Sequence, residues 1–179
     1  MDDRAWRRRR FRRRAPLATL STAMSEFRLQ LARPSDAPAI ALVSKAIVEH
    51  GLAWRWTPRA VLREIQRRDT EVVVARAGDG RVLGFALMRF EDEVGHLFLL
   101  AVVPGARRRG IGAALIGFLE AEARVAGLLT LQLEVRVDNH DAQAFYRRLG
   151  FEPARVLHGY YQGVESAVLM TRALGASVH

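Results

Sequence analysis

The chain contains no cysteine. That absence excludes disulfides, thiolate metal sites and a cysteine nucleophile, and it fits a reducing compartment. Lysine is nearly missing as well: of 28 cationic residues, only Lys45 is a lysine. No apolar run approaches the roughly 18 residues that a membrane span requires, so the sequence predicts no membrane-crossing helix and a cytoplasmic location. His140 and His158 have no metal-ligand spacing between them, and no metal site is expected.

What is present suffices for a core. Half of the 179 residues are hydrophobic, which marks a globular chain, and the length suits one domain. The net charge of +9 suggests nucleic acid until it is located. Residues 1–23 hold eight arginines against Asp2 and Asp3, leaving only +3 for the rest of the chain. Three readings of that basic segment stand. It contacts ribosomes or RNA through phosphates, it is an export signal with a poor apolar region at Leu17–Met24, or it is a dispensable extension before a domain that starts near Met24. The expected organisation is a basic extension over 1–24, one domain over 25–174 and a short tail over 175–179.

Alternation and capping signals set the elements. Strands are predicted over Phe27–Ala32, Glu71–Arg76, Val82–Phe90, Gly95–Val103, Thr130–Val137, Phe151–Leu157 and Ser166–Thr171. Helices are predicted over Ala37–Val48, from Thr57-Pro58 to Arg67, over Arg109–Ala126, and from Asp138-Asn139 to Leu149. The order βααβββαβαββ implies a single α/β domain built on a mixed, mostly antiparallel sheet of about seven strands flanked by about four helices.

Two motifs carry chemistry. In the first, Arg107-Arg108-Arg109-Gly110-Ile111-Gly112 opens a helix directly after an apolar strand. A helix N-terminus offers unpaired N–H groups and partial positive charge, glycine permits close approach, and arginine matches phosphate oxygens. This pattern suits a pyrophosphate. A dinucleotide fingerprint is excluded because its third glycine position is Leu115 and the Pro104–Arg109 insert is too long for the tight turn. The second motif runs from Glu134 through Asn139 and Tyr146 to Phe151.

Together, in this order and spacing, the motifs resemble the GNAT superfamily of acetyl-CoA-dependent N-acetyltransferases over about Phe27–Leu174. The resemblance implies that Leu100, Ala101 and Val102 pair with the pantetheine arm. It implies that Arg108, Arg109, Gly110, Ile111, Gly112 and Ala113 cradle the pyrophosphate. Asn139 matches a coenzyme-contacting position, and Tyr146 matches the tyrosine beside the thioester sulfur. Glu134 matches the glutamate of the branch that acetylates protein N-termini, including the ribosomal-protein alanine N-acetyltransferases. Tyr160-Tyr161, between the last two strands, matches a pair in that branch which lines the peptide groove. Trp54 and Trp56 are expected to line the acceptor groove too.

The residues alone leave plainer roles open. Glu134 is also the polar side of an alternating strand, Asn139 is a favoured helix cap, and Tyr146 shares a helix face with Ala142 and Leu149. The chemistry nevertheless favours an α-amine. Deprotonating one near pKa 7.8 at pH 7 costs about 1 kcal/mol, against about 4.6 kcal/mol for a lysine. Glu134 is then the candidate base, through a water, and Tyr146 the candidate acid. The rival acceptors are small amines such as polyamines, amino acids or antibiotics. A non-enzymatic rival is an RNA-binding module using the arginine tail. The expected partners are acetyl-CoA and an amine, in a monomer or homodimer.

Overall fold

The computed structural model describes residues 27–175, so the basic extension lies outside the described residues. The elements follow the predicted order. Strand β1 spans Arg28–Leu31, helix α1 Ala37–Ile47, helix α2 Pro58–Gln66, β2 Thr70–Arg76, β3 Val82–Glu91 and β4 Val94–Val102. Helix α3 spans Ile111–Val125, β5 Thr130–Arg136, α4 His140–Arg148, β6 Glu152–Tyr161 and β7 Glu165–Ala173. Among the described residues, no helix is long and apolar enough to cross a membrane.

The seven strands form one sheet in the order β1-β2-β3-β4-β5-β7-β6. Every neighbouring pair is antiparallel except β4 and β5, the two strands joined through α3. Alternating side chains divide between two cores. On one face, Leu131, Leu133 and Val135 of β5 pack with Leu115 and Leu119 of α3 and with Tyr146 of α4. On the other, Phe85, Leu87 and Leu99 pack with Ile40 and Ala41 of α1 and Val61 of α2.

Local chemistry sets the helix starts. The Thr57 side chain accepts the Ala60 N–H, with Pro58 in the first turn. Asn139 caps α4 by accepting from the Ala142 N–H at 3.1 Å. Helix α3 begins at Ile111, two residues later than predicted, because Arg108 (φ 64°) and Gly110 (φ 76°) are both left-handed. Arg109 therefore belongs to the turn, and the positive φ of Gly110 is the conformation glycine adopts without strain.

Two irregularities that the alternation pattern did not reveal shape the sheet. On β4, Met88 pairs with Leu97 and Leu87 with Leu99, which leaves Phe98 as an extra residue. The bulge turns two consecutive residues, Phe98 and Leu99, toward the α1/α2 core, while Leu97 and Leu100 belong to the α3/α4 core. On β6, three residues stand between the Leu157–Ala167 and Tyr161–Glu165 pairs. Gly159 takes φ 61° there, and its N–H donates to the Ser166 hydroxyl at 3.3 Å. His158-Gly159 is thus a bulge inside the strand rather than its end. The expectation that Tyr160-Tyr161 lies between the last two strands is corrected: both tyrosines end β6.

Candidate active site

The parallel β4–β5 pairing covers only Val94–Leu97 against Thr130–Leu133. Beyond Leu97 the two strands part, and the β5 side of β4 has no strand partner. A cleft of about 1050 Å³ occupies this gap and is lined from both faces of the sheet. From the α3/α4 face come Leu100, Ala142 and Tyr146, and from the α1/α2 face Trp56 and Phe98; Asn139, Tyr160 and Tyr161 complete the lining.

Glu134 is the first β5 residue past the paired stretch, and it points to the α1/α2 face with Gln132 and Arg136. Its Oε2 lies 2.7 Å from His96 Nε2, and both side chains are nearly buried. His96 is held in turn by its ring against Phe98, with centroids 4.1 Å apart. Tyr161 donates its hydroxyl to the Glu134 carbonyl at 3.4 Å. Burial, then the charge of Glu134, pushes Tyr161 up to about 12. The same two causes, in the same order, raise Tyr160. Both tyrosines beside Glu134 therefore keep their protons at neutral pH.

Tyr146 lies on the opposite face of the gap. Its ring packs edge-on between Phe145 at 5.2 Å and Phe151 at 5.7 Å. Burial raises its hydroxyl well above the ordinary tyrosine value. The hydroxyl has no hydrogen-bond partner among the described residues, although the side chain lines the cleft.

The turn before α3 meets the cleft at Pro104 and Arg107, and Arg107 Nε donates to the Val102 carbonyl at 3.2 Å. Arg108, Arg109, Gly110 and Ala113 are exposed beyond that edge, while Ile111 is core. No side chain caps the N-terminus of α3, so its first-turn N–H groups face outward unclaimed by a cap. A Cβ at Gly112 would meet Phe145 Cζ at 3.1 Å, so this glycine also serves the contact between α3 and α4.

The sequence-predicted residues do not all converge. Glu134, Tyr146, Asn139, Leu100, Trp56, Tyr160 and Tyr161 share the cleft, whereas Ala101, Val102 and Trp54 do not line it. Trp54 instead donates its indole N–H to the Trp56 carbonyl at 3.0 Å and lies under the Lys45 ammonium. Its packing sets the course of the α1–α2 connection.

Three residues escaped the sequence reading. His96 occupies the polar phase of β4, a signal that alternation offers but does not distinguish from a solvent-facing histidine. Glu49 is buried, and its carboxylate accepts the N–H of Arg55 at 2.6 Å and of Trp56 at 3.2 Å, which no local pattern announces. Arg136 donates to the His50 carbonyl at 2.8 Å and pairs with Glu165 at 3.0 Å, so one guanidinium joins the α1–α2 connection to the β6–β7 hairpin. No group of three or more metal-ligating side chains occurs among the described residues.

Known proteins share this sequence pattern and fold. A model of the acetyltransferase (GNAT) family matches residues 34–151. A ribosomal protein bS18-alanine N-acetyltransferase of Salmonella typhimurium is 40% identical over 95 residues, 51% of this chain and 64% of that protein. The match thus spans less than two thirds of that curated relative's length. An N-alpha-acetyltransferase of Sulfurisphaera tokodaii is 29% identical over 162 residues, covering 83% of this chain and 94% of that protein. The crystal structure of the ribosomal-protein-S18-alanine N-acetyltransferase from Escherichia coli superposes with a TM-score of 0.72 at 28% identity, covering 86% of this chain and 99% of that one. The chain belongs to the acetyltransferase (GNAT) family.

Proposed function

We propose that this protein is a cytoplasmic N-acetyltransferase that moves the acetyl group of acetyl-CoA to the α-amine at a protein or peptide N-terminus. The observation that carries the reading is the gap between β4 and β5, with the Glu134–His96 pair on one face and the Tyr146 hydroxyl on the other, lining one cleft. The relatives named for N-terminal acetylation support the choice of acceptor.

The residues suit the coenzyme. The uncapped first turn of α3, with Arg108, Arg109, Gly110, Ile111, Gly112 and Ala113, offers backbone N–H groups and positive charge to a pyrophosphate. The unpaired edge of β4 at Leu100, Ala101 and Val102 offers main-chain groups to the pantetheine amides. Asn139 already spends its side-chain oxygen on the α4 cap, so its contact with the coenzyme falls to its amide nitrogen. Acetyl-CoA supplies an acetyl group activated as a thioester.

Glu134 accepts the proton that the attacking ammonium must shed, through a water. His96 fixes the carboxylate rotamer and donates to one oxygen, leaving the other for the substrate. As the nitrogen–carbon bond forms, the carbon–sulfur bond breaks and the sulfur leaves with the electron pair. A tyrosine raised by burial lies well above a thiol near 8.5, so full proton transfer from Tyr146 to the thiolate is uphill. Tyr146 therefore acts as a hydrogen-bond donor that stabilises the departing sulfur, and solvent supplies the proton afterwards.

The test is turnover of acetyl-CoA with peptides that begin in a free alanine, followed by thiol release and by mass. A gain of 42 Da at the peptide terminus, absent when that terminus is blocked, is the expected result. Release of thiol only in the presence of a small amine would overturn the choice of acceptor.

A further inference from the structure

The charges around the acceptor end of the cleft are unevenly used. The carboxylates there are already engaged. Glu49 holds the backbone N–H groups of Arg55 and Trp56, Glu64 pairs with Arg89 at 3.1 Å, and Glu134 bonds His96. The guanidinium of Arg136 is likewise neutralised, by Glu165. Arg55 and Arg63 are different. Both line the cleft, both are exposed, and neither guanidinium has an ion pair among the described residues.

These two cations stand on a built frame. The Glu49 carboxylate fixes the Arg55 backbone, and Arg55 is close enough to Tyr160 for its charge to oppose the rise of that hydroxyl. Tyr160 in turn packs edge-on against Tyr161, whose hydroxyl donates to the Glu134 carbonyl. Arg63 projects from α2, one residue before the buried-side Glu64. They belong to the α1/α2 face, opposite the α3 N-terminus, so the coenzyme phosphates have no need of them. The lining residue Asp138 lies in the turn into α4.

We infer that the acceptor carries acidic side chains immediately after its terminal residue, and that Arg55 and Arg63 select them. The inference rests on the α-amine reading above. An extended chain advances about 3.3 Å per residue, so positions two to four fall within roughly 10 Å of an amine at Glu134. Cations lining a half-enclosed cleft raise the local concentration of an acidic partner and penalise a basic one.

Three peptides that share an N-terminal alanine and differ only at positions two to four, as glutamates, alanines or arginines, test the proposal. Arginine is used because it brings no side-chain amine to compete. The acidic peptide is expected to show at least about tenfold higher kcat/KM than the basic one at low salt, with the ratio shrinking at high salt as exposed charges are screened. Arg55→Gln combined with Arg63→Gln should erase the preference, and Arg55→Glu with Arg63→Glu should reverse it. An unaltered thermal shift with acetyl-CoA shows that the variants are folded. Equal rates for the acidic and basic peptides overturn this inference and leave the α-amine reading standing. Failure to acetylate all three peptides, with a small amine accepted, overturns both.

Discussion

His96 Nε2 and Glu134 Oε2 are 2.7 Å apart, linking the paired stretch of β4 to the first residue of β5 beyond it. The imidazole is clamped on the Phe98 ring, and that ring is where the bulge puts it. The carboxylate is thus oriented by a residue on the other strand of the gap. Replacing Glu134 with Gln keeps the shape and removes the proton acceptor. Turnover should fall by about a hundredfold or more, the typical contribution of a positioned base. His96→Asn should lower kcat more mildly and leave the affinity for acetyl-CoA unchanged. Steady-state kinetics with binding measured separately checks both; equal loss of coenzyme affinity would count against the assignment.

Tyr146 separates packing from chemistry. Tyr146→Phe preserves the edge-on contacts with Phe145 and Phe151 and removes only the hydroxyl. The melting temperature should hardly move while kcat falls, by about a hundredfold at most. Tyr146→Ala should instead destabilise the fold by about 3–5 kcal/mol, as loss of a buried aromatic does. Thermal denaturation beside a thiol-release assay distinguishes the two, and full activity in Tyr146→Phe would reduce the residue to packing.

Alkaline pH should loosen the site. Tyr161 is raised to about 12, so the unfolded chain gives up its proton first, near the ordinary value of about 10. Between those values the native state binds more protons than the unfolded state, and stability falls as pH rises. The contribution is fully present below about pH 10. Urea midpoints at pH 9 and pH 11 read the fall, to which the raised Tyr146 and Tyr160 also contribute, and Tyr161→Phe should make it smaller.

The α3 turn makes two separate demands. Gly110→Ala places a Cβ in open space but in a left-handed conformation, for a loss of roughly 1–2 kcal/mol. Gly112→Glu presses on Phe145 and adds a negative charge where a phosphate would bind. Saturating acetyl-CoA should stabilise the wild type, by about 2.7 kcal/mol at a hundredfold excess over Kd. Gly112→Glu should abolish that shift. A wild-type melting curve indifferent to acetyl-CoA would contradict the coenzyme assignment.

Glu49 is the buried support of the α1–α2 connection. Glu49→Ala leaves the Arg55 and Trp56 N–H groups without their acceptor, a loss of about 1–3 kcal/mol per buried group. The acceptor KM should rise several-fold while coenzyme affinity holds. Unchanged acceptor kinetics would show that the connection is positioned by Trp54 packing alone.

The element order, the polar face of β5 and the cap at Asn139 were legible in the chain because each depends on neighbours within a few residues. Alternation put Gln132, Glu134 and Arg136 on one side, and the sheet keeps them there. A glycine-bearing turn opening a helix at Arg107–Gly112 was legible for the same reason, but the left-handed φ of Gly110 was not. The helix start was misplaced by two residues because Gly110 turns left-handed and so caps the helix rather than joining it.

What tertiary structure decided is which of these groups meet. The Phe98 bulge, the end of β4–β5 pairing at Leu97 and Leu133, and the 38-residue separation between His96 and Glu134 are long-range facts without local signature. The same holds for Glu49, whose carboxylate is spent on a loop six and seven residues away. The sequence by itself determined an arginine- and glycine-bearing turn into a helix and a carboxylate on a strand's polar face. Only the tertiary structure joins them, because the β4–β5 pairing stops at Leu97 and Leu133 and leaves a gap lined from both faces of the sheet, which the residues of neither strand alone announce.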